Sequence, residues 1–269
     1  MLNRLSELQL IRYAIGSGTG GLSALRRLGS APGRRLLSVD LFDTLLLRGI
    51  RPETARFRNL AERLEATSEC RERNISAAAI LEARLLCTRL AYQAAAPVQS
   101  AREARIEDVL KMQIACLALQ PQMSKDFLDH ELALEANALR PNKPLVDSCR
   151  HLRRKGLRLA VVSDMYLDAP SLRHLLHHHG LDDFAENIYV SAEFGVSKAS
   201  GHLFRVVAER EATPFSAMLH VGDNFRADYL APRRHGIDAV WLPRALSWRL
   251  VNGLWNRALR VKHVYLKGL

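Results

Sequence analysis

The chain has 269 residues, 48% of them hydrophobic, enough to bury one sizeable core plus a smaller inserted or appended unit; this excludes disorder throughout. No apolar run reaches the roughly 18 residues that a membrane-spanning helix needs, because arginines such as Arg12 and Arg48 interrupt the longest candidates. The net charge of +11 is mostly arginine set beside glutamate at helical spacing, as in Arg56, Arg58, Glu62 and Arg63; this reads as solvated helix faces, and without any nucleic-acid motif no nucleic-acid partner is expected.

Residues 1–34 contain Glu7 as their only acid. A short helix over Leu2–Ala14 and a linker rich in glycine (Gly16, Gly18, Gly20, Gly21) are preferred there to an organellar transit peptide. Arg35-Leu36-Leu37-Ser38-Val39-Asp40 is a short apolar run ending on an acid, the pattern of a buried parallel strand that presents Asp40 at its C-terminal end. Residues 35–51 therefore open a core. From Pro52 and Glu53, suited to a helix start, the pattern stays helical to about Ala138, with breaks near Glu72–Asn74, at Pro97 and at Pro121. Residues 52–140 are thus expected to form a helical insertion of about four helices.

Alternation resumes after Pro141 and Pro144, and the core continues over 141–243. The expected order is helix 144–155, strand 157–162, helix 170–179, strand 187–191, helix 200–210, strand 217–221 and a last strand at 239–242. Strands separated by single helices give an α/β fold, Rossmann-like, with a mainly parallel, doubly wound sheet. His177-His178-His179 precede Gly180, where imidazolium at a helix C-terminus is favoured over metal ligation, since consecutive helical residues point apart.

Residues 244–269 form a basic C-terminal segment. Over Ala245–Leu266, Leu250, Val251, Leu254, Ala258, Val261 and Tyr265 share one helical face, with Arg249, Asn256, Arg257 and Arg260 opposite and Trp248 and Trp255 on the flanks. Packing on the core or on another protein is preferred there to a peripheral membrane contact. The four cysteines, Cys70, Cys87, Cys116 and Cys149, show no zinc or redox spacing and suit a reducing cytoplasm, so a cytoplasmic protein is expected.

Four segments at strand ends carry the chemistry: Asp40-Leu41-Phe42-Asp43-Thr44, Val162-Ser163-Asp164, Ser197-Lys198, and Gly222-Asp223-Asn224 with Asp228 beyond. Lys198 is one of only seven lysines. In this order and placement, over about residues 35–243, the segments resemble the haloacid dehalogenase (HAD) superfamily, and residues 52–140 occupy the position of its helical cap. The resemblance implies a hydrolase in which Asp40 is the nucleophile of a covalent aspartyl intermediate. Ser163 would bond a non-bridging phosphoryl oxygen, and Lys198 would balance its charge. Mg²⁺ would be held by Asp40, the Phe42 backbone carbonyl and Asp223. Asp228 would orient Lys198 or a metal-bound water, with Asn224 assisting beside Asp223. The expected substrate is a small anionic, phosphorylated metabolite, and Arg48 is a candidate for binding its anionic tail.

One position departs from the phosphatases of that family. Their general acid and base is an aspartate two residues after the nucleophile, and here that residue is Phe42. Such a group contributes about 10²- to 10⁴-fold. Three readings follow in order: a phosphohydrolase that favours activated leaving groups or borrows an acid from Asp43, Asp164 or Tyr166; a dehalogenase-like hydrolase attacking carbon; and a catalytically weak binding module.

Overall fold

The first strand, β1 (Leu36–Val39), is buried along its whole length, which a four-residue apolar run achieves only when both faces and both edges are covered. The computed structural model describes residues 19–95 and 103–252 and places β1 at the centre of a five-stranded sheet. Before it, α1 (Thr19–Gly29) packs against the sheet's far edge. After it come β2 (Leu46–Arg48), helices α2 (Glu53–Glu65), α3 (Ser68–Glu72), α4 (Ala77–Ala95), α5 (Ile106–Cys116) and α6 (Met123–Ala138), then β3 (Leu139–Pro141). The core continues with α7 (Lys143–Arg154), β4 (Arg158–Ser163), α8 (Ala169–His178), β5 (Asn187–Val190), α9 (Ser191–Phe194) and α10 (His202–Arg210). It closes with β6 (Met218–Gly222), a π-helical turn at Phe225–Leu230, α11 (Ala231–Arg234) and β7 (Asp238–Trp241).

The order across the main sheet is β5-β4-β1-β6-β7 and every pairing is parallel. Period-two alternation sends Leu36, Ala160, Val162 and Met218 to one face, against Leu203, Phe204 and Val207 of α10. Leu37, Val39, Leu159, Val161, Leu219 and Val221 go to the other, where Leu25 of α1, Leu145 and Cys149 of α7 and Leu172 of α8 cover them. Helices on both faces make the sheet doubly wound, as expected. Chain order reverses beside β1, and in such sheets the crevice at the carboxyl ends next to that reversal is where ligands bind.

The insertion differs in detail from the expectation. It holds five helices among the described residues: the expected break near Glu72–Asn74 is present, with Asn74 at φ +53, and a further break at Ala66–Thr67 divides α2 from α3. β2 and β3 pair antiparallel, Leu46 with Pro141 and Arg48 with Leu139, so residues 139–140 belong to the hinge of the insertion rather than to its helices. Three-residue strands carry too little pattern to be read from sequence. Pro97 and the helix expected over Leu2–Ala14 lie outside the described residues. So does the part beyond Asn252 of the helix expected over Ala245–Leu266, of which residues 246–252 are described and helical. Among the described residues, no helix is long and apolar enough to cross a membrane.

Candidate active site

Parallel strands deliver their last residues to one edge, and that edge collects the sequence-predicted groups. Asp40 follows β1 and its N–H still bonds Val221 O at 2.9 Å, so the ladder fixes its backbone. The chain then doubles back: Leu45 and Leu46 donate to Asp40 O and Leu41 O, and Asp43 takes a left-handed φ of +62. Among the described residues nothing donates to the Phe42 carbonyl, which leaves it open as a ligand. Ser163 ends β4 with Asp164 next, and Gly222 ends β6 with Asp223 next.

Lys198 reaches the same point from the loop after α9. The loop is pinned by Lys198 N donating to Asp164 Oδ1 at 2.8 Å and by Gly201 N donating to Lys198 O at 2.8 Å. Gly201 has φ +79 and lies against His235, where a Cβ would come within 1.9 Å of the ring, so only glycine closes the turn. Lys198 Nζ then bonds Asp40 Oδ1 at 2.5 Å and Asp228 Oδ1 at 2.6 Å, with all three side chains buried.

Behind them runs a buried relay that sequence reasoning missed. His220 Nε2 meets Asp228 Oδ1 at 3.2 Å, His220 Nδ1 meets Ser38 Oγ at 2.8 Å, and Asn224 N donates to Asp228 Oδ2 at 2.9 Å. Both oxygens of Asp228 are thus engaged, which suits orienting Lys198 better than ligating a metal. The available signal was His220 two residues before Gly222 on an inward-facing strand. Gly222 allows the approach, because a Cβ there would stand 2.3 Å from Asp228 Cγ. Asn224 caps the following turn, its side chain accepting from Arg226 N and Ala227 N.

Charge is out of balance here. Burial pushes Asp40 up to about 7 against the pull of Lys198. Burial and then the neighbouring charges of Asp40, Asp228 and Asp43 push Asp223 up to about 8. Burial would discharge Lys198, but Asp228 and Asp40 hold it charged, above its ordinary value. Burial also opposes charge on Asp228, yet Lys198 and His220 keep it ionised and below the usual range. No donor among the described residues bonds the Asp223 carboxylate. Asp40, Asp223 and Asp228 each offer an oxygen within 4.8 Å of the others. An oxygen-only donor set carrying uncompensated negative charge fits a hard divalent cation, with Asp40 and Asp223 as its carboxylates.

These groups open onto a cavity of about 170 Å³ walled by Asp40, Phe42, Ser163, Asp164, Lys198 and Asp223, with Arg48, Asn224 and Asp228 also reaching it. Met165 and Ala227 complete the wall and were not foreseen. A larger cleft of about 570 Å³ lies between α5 and α6, walled by Ile106, Leu110, Ile114 and Leu119, and holds none of these aspartates.

Two of the three borrowed acids are not brought to the cavity. Tyr166 turns into the insertion, where its hydroxyl donates to Glu131 Oε1 at 2.8 Å. Asp43 faces Arg48, whose backbone N–H it accepts at 3.2 Å, and Arg244, whose Nη1 is 3.3 Å away. Asp164 does line the cavity, and burial raises its pKa. Arg48 sits with its guanidinium 4.0 Å above the Phe42 ring and is held by Glu135 of α6 at 3.3 Å, so its charge is already partly answered. Cys87 and Cys116, unpaired by sequence spacing, come within 3.7 Å across α4 and α5, where burial pushes the Cys87 thiol up to about 11. The triple histidine ends α8 as expected, with His177 paired to Asp182.

A parallel sheet that gathers aspartates and a lysine at one edge, beneath a helical insertion entering after its first strand, defines a Rossmann-like hydrolase core with a cap. Residues 35–236 match the haloacid dehalogenase-like hydrolases, and the chain belongs to that family. It is 28% identical over 158 residues to the haloacid dehalogenase-like hydrolase domain-containing protein 3 of Xenopus laevis. That alignment covers 57% of this chain and 59% of the relative, so the chain spans about three fifths of the relative's length. Among solved structures it is similar to a 2-haloacid dehalogenase from Pseudomonas syringae, with TM-score 0.54 and 19% identity over 77% of this chain and 86% of that one. A HAD family enzyme from Bacteroides thetaiotaomicron is comparably similar, with TM-score 0.51 and 13% identity over 80% and 95%. Identities this low speak to fold alone.

Proposed function

We propose that this HAD-like hydrolase is a Mg²⁺-dependent phosphohydrolase of a small phosphorylated metabolite, working through an aspartyl-phosphate on Asp40. The observation that carries the reading is the Asp40–Asp223 pair: a buried and a half-buried carboxylate facing one polar cavity, with only Asp40 bonded by Lys198. Displacement at carbon needs no cation held between carboxylates, whereas phosphoryl transfer needs its negative charge gathered and neutralised.

Asp40, Asp223 and the Phe42 carbonyl would hold Mg²⁺, which would supply neutralisation of the phosphoryl charge. A carboxylate oxygen of Asp40 attacks phosphorus, forming a P–O bond as the bond to the leaving oxygen breaks. Ser163 donates its hydroxyl to a non-bridging oxygen, and Lys198 holds Asp40 in place while balancing the charge that gathers there. The departing alkoxide or phenoxide takes a proton, and Asp164 is the carboxyl positioned on the cavity wall to give it. Water then attacks the acyl phosphate, releasing inorganic phosphate and restoring the Asp40 carboxylate.

Phe42 supports the second reading, a dehalogenase-like displacement at carbon, because a halide leaves without a proton. Rapid acid quench with an aryl phosphate and Mg²⁺, followed by mass spectrometry of the peptide containing Asp40, separates the two. Phosphate on Asp40 is expected. Halide release from 2-haloacids in chelator, with no phosphate-ester turnover, would overturn the proposal.

A further inference from the structure

The chain leaves the core after β7 with apolar side chains directed outward. Residues 246–252 are helical, and polar bonds tether them and the residues just before: Arg244 Nη2 to Arg48 O at 2.9 Å, Trp248 Nε1 to Gly49 O at 3.3 Å and Asn252 Nδ2 to Ile50 O at 3.2 Å. Leu246, Leu250 and Val251 remain 45%, 59% and 37% exposed, and Ile50, on the loop they are bonded to, is 39% exposed. Four of the six exposed large hydrophobic side chains among the described residues therefore share one neighbourhood. Of the preferred expectation, packing on the core or on another protein, the first half does not hold for Leu250 and Val251, which stay exposed while polar groups make the bonds to the core.

Along the sequence this segment is basic, although Arg244 itself is paired with Asp43. From Ala239 to Leu269 the sequence contains no Asp or Glu, although the chain holds 28 acids, and it contains Arg244, Arg249, Arg257, Arg260, Lys262 and Lys267. Beyond the described residues the sequence repeats the same apolar spacing at Leu254, Ala258, Val261 and Tyr265, with Trp255 beside it.

We infer that this face docks on the surface of an anionic lipid bilayer. Leu246, Leu250, Val251 and Ile50 enter the boundary between headgroups and acyl chains, where burying aliphatic surface is favourable, and exposed Arg249 beside Leu250 meets lipid phosphates, with the cations that follow in the sequence adding to the attraction. Trp248 sits at the level where indole rings concentrate in membrane interfaces. A nucleic acid would use the arginines but leave the aliphatic side chains in water. A second copy of the chain would bring the same excess positive charge to the contact and be repelled by it.

The test is co-sedimentation of the full chain with vesicles of equimolar phosphatidylcholine and phosphatidylglycerol, against vesicles of phosphatidylcholine alone. Binding to the anionic vesicles is expected at low ionic strength, weakening with salt. The triple variant Leu246→Ser/Leu250→Ser/Val251→Ser should lower it roughly tenfold or more. Arg249→Glu should lower it less and flatten the salt dependence. All four side chains changed are exposed, and far-ultraviolet circular dichroism checks that the fold is unchanged. The inference is overturned by wild type that stays in the supernatant, by equal binding of wild type and triple variant, or by equal binding to both vesicle types. It is overturned as well by a lipid-free dimer in sedimentation equilibrium that Leu250→Glu dissociates, which would give the face to a second copy.

Discussion

The core and the cap each bury a cation completely, and they do so to opposite effect. In the cap, Arg84 meets one carboxylate, Glu131, at 2.7 Å, and the Tyr166 hydroxyl shares that oxygen. The Arg84 guanidinium also lies 4.8 Å from the Phe57 ring centroid and 5.3 Å from that of Tyr166. That cluster is charge-balanced and ties α4, α6 and the loop after β4 together. In the core, Lys198 is surrounded by Asp40, Asp228 and Asp164, while Asp223 stands without a donor. Balance marks packing. Surplus charge of one sign, held beside a cavity, marks a place that awaits a ligand, since burying unanswered carboxylates is otherwise costly.

The sharpest way to break this contrast is at the nucleophile. Asp40→Asn keeps the shape and removes the attacking carboxylate, so kcat should fall by about 10⁴-fold or more and no phosphorylated peptide should form. Thermal unfolding should show the fold intact, because Lys198 keeps Asp228. Activity within a few-fold of wild type would sink the assignment of Asp40.

Next comes the unpaired carboxylate. Asp223→Ala should cost about 10²- to 10³-fold in kcat/KM and abolish the response to added Mg²⁺. Its stability should stay level or rise, because a half-buried carboxyl whose ionisation its acidic neighbours oppose is gone. A destabilised Asp223→Ala protein with unchanged Mg²⁺ response would make that carboxylate structural.

The cap pair should behave in the reverse manner. Arg84→Met strands Glu131 and should destabilise the chain by about 3–5 kcal/mol in urea unfolding. The triple variant Arg84→Met/Glu131→Leu/Tyr166→Phe removes the whole polar cluster and should recover most of that stability, with kcat/KM within a few-fold of wild type. A large loss of kcat in the triple variant would return Tyr166 to the list of proton donors.

The smallest expected effect is at Phe42. With the Arg48 guanidinium 4.0 Å from the ring, an aspartate placed there finds a counter-charge that holds it ionised and makes it a poor acid. Phe42→Asp alone should therefore speed alkyl phosphates over aryl phosphates by less than about tenfold, and Phe42→Asp/Arg48→Met should do more. The measurement is log kcat/KM against leaving-group pKa. Asp164→Asn should steepen that line in the wild-type background, and an unchanged slope would remove Asp164 as the proton source.

Much of the site was legible because its parts are local. A short, largely apolar strand must be buried, the residues at its end must emerge at the sheet edge, and Asp40, Ser163-Asp164 and Gly222-Asp223 each sit at such an end. Tyr166 and Asp43 were not legible, because three or four residues past a strand end nothing in the sequence says which way a side chain turns. Tyr166 went to a buried carboxylate 35 residues back in the chain, and Asp43 to an arginine 201 residues ahead.

The sequence by itself determined the alternation of strands and helices, the position of the cap and the identity of the strand-end groups, since hydrophobic period and chain order are properties of neighbours along the chain. Only the tertiary structure decided which charges cancel. Whether Asp228 pairs with Lys198, whether Arg48 is free or clamped by Glu135, and whether the face of Leu246 and Leu250 is covered or open depend on distances between segments far apart in sequence. Electrostatic and apolar contacts act through space, and their sum is known only when the chain has closed on itself.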